Sequence, residues 1–281
     1  GAFQRAVGCE EWDVGVREVS VGSMGEALAE VSVECESSME LEVCSVRVLV
    51  VHVGDAGEDH IVVLNVHHIA TDGWSTAHLM GDVVSAYNAM VGGQSVEVGD
   101  EATRLRYADY ALWQREMLRD EKCMEPHERY WREVLGGELA VLELQTDHPR
   151  PAVITTHGSS VDVCINGGSA DRLRSVCGEC GVTTMRGALA VWAVTLGKHS
   201  GQTEVVVGIP YANREHPATH DVVGYFVNTL AIRVRVDGMA SFRESLVHVS
   251  SVVNEAVSHA TVPFVRVVEV VCPDRDASRT P

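Results

Sequence analysis

Basic residues are scarce: the 281-residue chain has 22 Lys and Arg against 40 Asp and Glu, a formal charge of −18. A phosphate backbone needs a basic stripe, so nucleic acid is not an expected partner. No apolar run reaches the roughly 18 residues of a membrane-spanning helix, and the first residues carry neither the basic region nor the hydrophobic block of an export signal. A cytoplasmic location without membrane contact is therefore expected. Phosphate loops are missing, since the pairs Gly92-Gly93, Gly136-Gly137 and Gly167-Gly168 lack GxxxxGK[ST] or GxGxxG context. GxSxG and HExxH are missing too. Among the eight cysteines, Cys177-Gly178-Glu179-Cys180 has redox or zinc spacing but no second CxxC beside it. Without an export signal, free buried thiols are expected, and no metal centre. No internal repeat is visible.

What stands out is His67-His68-Ile69-Ala70-Thr71-Asp72-Gly73-Trp74-Ser75. Before it, Ile61-Val62-Val63-Leu64 is apolar, largely β-branched and too short for a globular helix, so residues 60 to 67 read as a largely buried strand. After it, Ala77, Met80, Val84, Tyr87 and Val91 recur at helical steps, predicting a helix from Thr76 to Met90 stopped by Gly92-Gly93. Asp72 or Ser75 can cap that helix, and Gly73 permits close backbone approach in the turn. On a strand His67 and His68 point to opposite sides, so one of them is the working group. A neutral imidazole has an acceptor nitrogen suited to taking a proton from an attacking amine or hydroxyl. Asp72 either orients an imidazole or forms half of a buried ion pair that fixes the turn. The bland alternative is a pair of buried histidines beside a helix cap.

The rest of the chain alternates strand-like and helical stretches. Residues 94 to 103 form an acidic connection, and the turn at 54 to 59 follows a strand at Met39 to Val53 expected to pair with residues 60 to 67. Val16 to Val19 reads as a short edge-like piece and Met24 to Val33 as a weak helix. A helix from Tyr107 puts Tyr110, Trp113 and Met117 near one face, favouring core packing over base stacking, and another runs from Glu125 to Val134. Pro149 and Pro151 break any element, so residues 146–157 read as a linker between subdomains at 1–145 and 158–281. Beyond it come strands at Ser160 to Ile165, Thr203 to Ile209 and Leu230 to Val236. Helices fall at Ala170 to Cys180, Thr184 to His199, Phe242 to His259 and Pro263 to Val271. Mostly antiparallel-looking strands among long helices give an α/β fold.

The stretch from His67 to Ser75 closely resembles the signature of condensation domains of nonribosomal peptide synthetases, within the chloramphenicol acetyltransferase-like superfamily. Further similar stretches follow in order: 107–115, Tyr130-Trp131, 146–151, 208–214, Gly224-Tyr225-Phe226-Val227-Asn228-Thr229-Leu230 and 275–281. The resemblance implies two α/β sandwich subdomains arranged in a V and truncated at both ends, because the family's opening elements and its segments beyond Pro281 are expected outside this sequence. It implies no bound cofactor and no metal. Substrates would arrive on the phosphopantetheine of donor and acceptor peptidyl carrier domains, beside an adenylation domain. His68 would sit at the reaction centre, with His67 facing away, Asp72 paired to an arginine and Gly73 leaving room for substrate. Trp74-Ser75 fits condensation rather than epimerisation, and the paired histidines argue against heterocyclisation. Asn228 is a candidate for the tunnel wall or its support, and Arg214 for a carboxylate partner or a loop organiser. The resemblance departs at Gln145, where proline is usual, and at His259 to Val265, where the glutamine and glutamate of HQxxPFE are lost. A catalytically silent scaffold within a synthetase is the alternative reading.

Overall fold

The computed structural model describes residues 14–42, 44–54, 59–96, 105–137, 139, 141–155 and 158–271. The expected turn at 55–58, most of the acidic connection at 94 to 103 and the family-like stretch 275–281 lie outside the described residues. The chain divides into two compact units, residues 1–114 with 214–226, and residues 115–213 with 227–281. Among the described residues no helix is long and apolar enough to cross a membrane.

In the first unit, β1 (Val16–Val21), β2 (Val46–Val53) and β3 (Asp59–Val66) form a three-stranded sheet in that order. β1 runs parallel to β2, from Val16 opposite Val48 to Val21 opposite Val53, whereas β2 and β3 form the expected antiparallel hairpin. Alternation puts Leu49, Val51 and Val53 on one buried face, against Ala27 of α1 (Met24–Glu36). That helix is longer than its weak periodicity predicts. Ser23 and Glu26 close a capping box around its first turn, a local signal that periodicity does not register. β2 starts at Val46, later than expected, because Cys44 N–H turns back to Glu40 O at 3.0 Å. α2 (Gly73–Val91) covers the predicted helix, and α3 (Tyr107–Met117) follows. The α2 face of Met80, Val84, Tyr87 and Val91 is exposed, and Trp113 of α3 is exposed as well. Of the expected α3 stripe, Tyr110 enters a core with Val222, Phe226 and Tyr107, and Met117 packs, partly buried, against the core of the second unit.

The second unit holds α4 (Glu121–Leu135), α5 (Gly167–Glu179), α6 (Thr184–Ser200), β4 (Glu204–Tyr211), β5 (Asn228–Arg235), α7 (Phe242–Ser258) and α8 (Phe264–Val271). β4 and β5 pair antiparallel, and the buried face of β5, Leu230, Ile232 and Val234, shares a core with Leu189 and Ala193 of α6 and Leu246, Val249 and Val253 of α7. α4 also belongs here: its Trp131 indole N–H donates to His259 O at 3.1 Å. The expected connection at 146–157 therefore runs within this unit, while the compact units part at residue 114 and residues 214–226 belong to the first. Ser160 to Ile165 has a strand-like alternation but forms no ladder among the described residues, and Val161, Val163 and Ile165 are exposed. A period-2 pattern needs a partner edge to become a strand. The described cysteines are free, and among them Cys177 is the buried one, whereas Cys35, Cys123 and Cys164 are exposed; Cys9 and Cys272 lie outside the described residues.

Candidate active site

The signature stretch begins where β3 runs out. His67 N–H donates to Ser45 O at 2.8 Å, extending the ladder by one residue, and Ala70 N–H closes a turn onto His67 O at 3.0 Å. The two neighbouring imidazoles then take opposite tautomers in their neutral forms. Ile69 N–H donates to His67 Nδ1 at 3.0 Å, so that nitrogen is unprotonated. His68 Nδ1 lies 2.8 Å from Thr71 O, a carbonyl that can only accept, so Nδ1 carries the proton and Nε2 is left as the acceptor. His68 is exposed, whereas Thr71 and Asp72 behind it are buried. The His68 and Tyr225 rings meet edge to face, with centroids 5.3 Å apart and planes at 74°.

Asp72 is the helix cap and the centre of a buried polar cluster. One carboxylate oxygen accepts from Ser75 N–H and from Ser75 Oγ, each at 2.8 Å. The other accepts from Phe226 N–H at 3.0 Å. Arg214 Nη2 reaches both oxygens, at 3.1 and 3.2 Å. Burial alone would raise the Asp72 pKa, but the hydrogen bonds from Ser75 and Phe226 and the Arg214 charge outweigh it and hold the carboxyl below its ordinary value. Arg214 also donates through Nη1 to Thr219 O and, at 2.7 Å, to Val222 O. Its guanidinium carbon lies 3.9 Å from the centre of the Phe226 ring, a cation–π contact, and its Nε is buried without a hydrogen-bond partner among the described residues. Both readings of Arg214 thus apply to one side chain, which pairs with a carboxylate and organises the loop at 214–222.

Ser75 ties the same loop to α2. Its hydroxyl accepts from Gly224 N–H at 3.1 Å and from Arg214 Nη2 at 2.8 Å, and its single proton is shared between Asp72 Oδ1 and Gly224 O. Trp74 Nε1–H donates to His220 O at 2.9 Å, and Tyr107 Oη donates to Tyr225 O at 2.9 Å. A side chain at Gly224 would collide with the Tyr107 ring, so glycine is required there by close approach. Gly73 is different. A Cβ there would meet nothing within 4 Å, and its backbone is not in the left-handed region. The expected close backbone approach at Gly73 is therefore not found, and what the glycine leaves is open space beside His68's loop.

Asn228 lies in the second unit and uses its whole side chain internally. Its Nδ2 donates to Ala260 O at 2.8 Å and Val262 O at 2.9 Å, while Oδ1 accepts from Thr229 N–H and Phe264 N–H, each at 2.9 Å. Two donors and two acceptor positions are all an amide has, so these four bonds use the whole of it. Tyr107, Gly224 and Tyr225 were not singled out from the sequence as site residues; the glycine before two aromatics in the 224–230 stretch was the available signal. Among the described residues, no three His, Cys, Asp or Glu side chains cluster in a way that could hold a metal ion.

Comparison with known proteins gives a consistent result. The profile of the family described as Condensation domain matches residues 14–281. Malpinin synthetase of Mortierella alpina is 35% identical over 224 residues, 80% of this chain and 3% of that protein. Phosphinothricin tripeptide synthetase PhsC of Streptomyces viridochromogenes is 36% identical over 224 residues, 80% of this chain and 20% of its own length. The chain thus spans a small part of these curated relatives. Among solved structures, the X-domain from teicoplanin biosynthesis is similar in fold, with a TM-score of 0.84 at 24% identity over 95% of this chain and 59% of that one.

Proposed function

Because the chain belongs to the Condensation domain family of nonribosomal peptide synthetases, we propose that it forms an amide bond between two carrier-bound substrates. The acceptor's amine attacks the donor thioester carbonyl, a C–N bond forms, the C–S bond breaks, and the amine proton passes to the departing thiolate, which leaves as the thiol. The observation that carries this reading is His68, an exposed residue whose Nδ1–H bond to Thr71 O leaves Nε2 as an acceptor able to orient the amine and take its proton. A thioester is already activated, so the reading requires no metal or protein nucleophile, and positioning is the main contribution. His67, with Nδ1 occupied by Ile69, is a structural neighbour. Asp72 holds the turn through Arg214 and Ser75 instead of acting as the base, being buried and fully engaged. Gly73 leaves the approach to His68 open. The partners are donor and acceptor carrier domains bearing phosphopantetheine arms, with an adenylation domain, in the cytoplasm.

The test is dipeptidyl-carrier formation followed by intact-protein mass spectrometry, in the native synthetase with loaded carriers. His68→Ala is expected to lower transfer by about 10²–10⁴-fold with an unchanged melting temperature. Near-parent turnover would refute the assignment. A silent scaffold is the second reading, favoured by Ala260 and Val265, which stand where the family pattern has glutamine and glutamate, and by the likeness to a structure described as a complex of the X-domain and OxyB. Absence of transfer by the parent with competent carriers would favour it.

A further inference from the structure

Tyr225 is fixed through its backbone from both sides, and its ring takes no part in that fixing. Gly224 before it exchanges two hydrogen bonds with Ser75 Oγ, at 3.1 Å from the amide and 3.0 Å at the carbonyl. The Tyr225 carbonyl accepts from Tyr107 Oη at 2.9 Å, and the next amide, that of Phe226, donates to Asp72 Oδ2 at 3.0 Å. Ser75 and Asp72 are 0% and 2% exposed, so this frame is the buried floor of the site. Tyr225 itself, by contrast, is 43% exposed, and its ring lies against the His68 imidazole.

His68 needs such a neighbour. Among the described residues the imidazole has one hydrogen bond, from Nδ1 to Thr71 O. One bond sets the tautomer and anchors one nitrogen, but a single hydrogen bond on an exposed side chain is a soft restraint, and small rocking of the ring carries Nε2 through an arc at the far side. A reacting nitrogen must be held within a fraction of an ångström and some 10–20° of its productive direction. The Tyr225 ring closes one side of that arc, and its own position is set by the frame that also caps α2.

We infer that Tyr225 is a positioning residue: its ring limits the swing of His68 and so aims Nε2 at the acceptor amine. The inference rests on the reading of His68 as the reaction centre. It assigns the contribution to the ring and none to the hydroxyl, which separates it from proton transfer by tyrosine.

Two measurements on the native synthetase with loaded carriers test it, using Tyr225→Phe and Tyr225→Ala. In peptide transfer at varied acceptor carrier, Tyr225→Ala is expected to lower kcat by about tenfold with a smaller change in KM, and Tyr225→Phe to stay within about twofold of the parent. In site-resolved carbethoxylation with diethyl pyrocarbonate, read by mass spectrometry, His68 is expected to react about threefold faster in Tyr225→Ala, where the ring is released, and at the parent rate in Tyr225→Phe. An unchanged kcat or an unchanged His68 modification rate in Tyr225→Ala overturns the proposal, as does a Tyr225→Phe variant as impaired as Tyr225→Ala. If the parent itself transfers no peptide, it is the amide-forming reading that fails, and the His68 modification rates still decide whether Tyr225 positions the ring.

Discussion

His68 and Asp72 stand four positions apart and meet opposite environments, which decides what each can do. The imidazole faces solvent with one nitrogen occupied by Thr71 O, so losing it removes an acceptor without opening the core. The carboxylate is buried and holds the Arg214 guanidinium, Ser75 and the Phe226 amide together. Asp72→Asn leaves Arg214 as a buried cation without its counter-charge, a loss of about 3–5 kcal/mol in comparable pairs, visible as a lower urea midpoint. The pH dependence follows from the direction of the Asp72 shift. A carboxyl whose folded pKa lies below its ordinary value of 3.8 contributes stability above that value and loses it as pH falls through the folded pKa. The stability difference between the parent and Asp72→Asn should therefore be constant from about pH 8 to pH 5 and shrink below about pH 4. A difference that shrinks between pH 7 and pH 5 would mean that the carboxyl is not held down by this cluster.

The elements around the motif were legible where the signal was local. β3 followed from β-branched residues, although it is only partly buried where a largely buried strand is expected, and α2 followed from its period, with Asp72, one of two candidate caps, as the cap. α1 was underestimated because its apolar period is weak while its capping box is strong. β1 joins β2 in parallel, a pairing across a helix that strand composition alone does not specify. Ser160 to Ile165 failed in the opposite sense, since alternation was present without a partner strand. The segment at 214–226 was visible only as family-like stretches; its docking onto α2 depends on pairs such as Arg214 with Asp72, 142 positions apart, which no local pattern encodes. That docking can be tested at Gly224. Gly224→Ala forces a Cβ into the Tyr107 ring and should destabilise the first unit by about 1–3 kcal/mol. In a Tyr107→Ala background the same substitution should cost less, so a double-mutant cycle on denaturant midpoints should show coupling. Additive effects would mean that the contact does not constrain the segment. In the second unit, Asn228→Leu strands two carbonyls and two amides that the amide now satisfies. At about 1–3 kcal/mol for each group left without a partner, even partial rehydration should leave a loss above about 3 kcal/mol in urea unfolding.

Across the whole chain, the expected linker did not mark the division into compact units, because proline pairs report where elements stop and carry no information on which neighbours they pack against. The first unit instead takes residues 214–226 from within the sequence span of the second. Two whole-chain properties then oppose each other in solution. The chain carries a formal charge of −18, which favours separation of molecules. Along α2, however, Ser75 is the buried residue, while Met80, Val84, Tyr87, Met90 and Val91 are 46%, 52%, 67%, 70% and 72% exposed. A contiguous apolar face of this kind favours association. Repulsion between like charges is screened by salt, with a Debye length of about 10 Å at 0.1 M falling to about 3 Å at 1 M, whereas burial of apolar surface is not screened. Self-association of the 281-residue chain should therefore increase as sodium chloride is raised from about 0.05 M to 0.5 M, the reverse of an association driven by attraction between opposite charges. Val84→Glu with Tyr87→Glu should suppress that increase, because both positions are exposed and lie within the apolar face, and should leave the melting temperature near that of the parent. Sedimentation velocity at the two salt concentrations measures it. Association that falls with added salt, or that persists unchanged in the double variant, would show that α2 is not the surface through which the molecules meet.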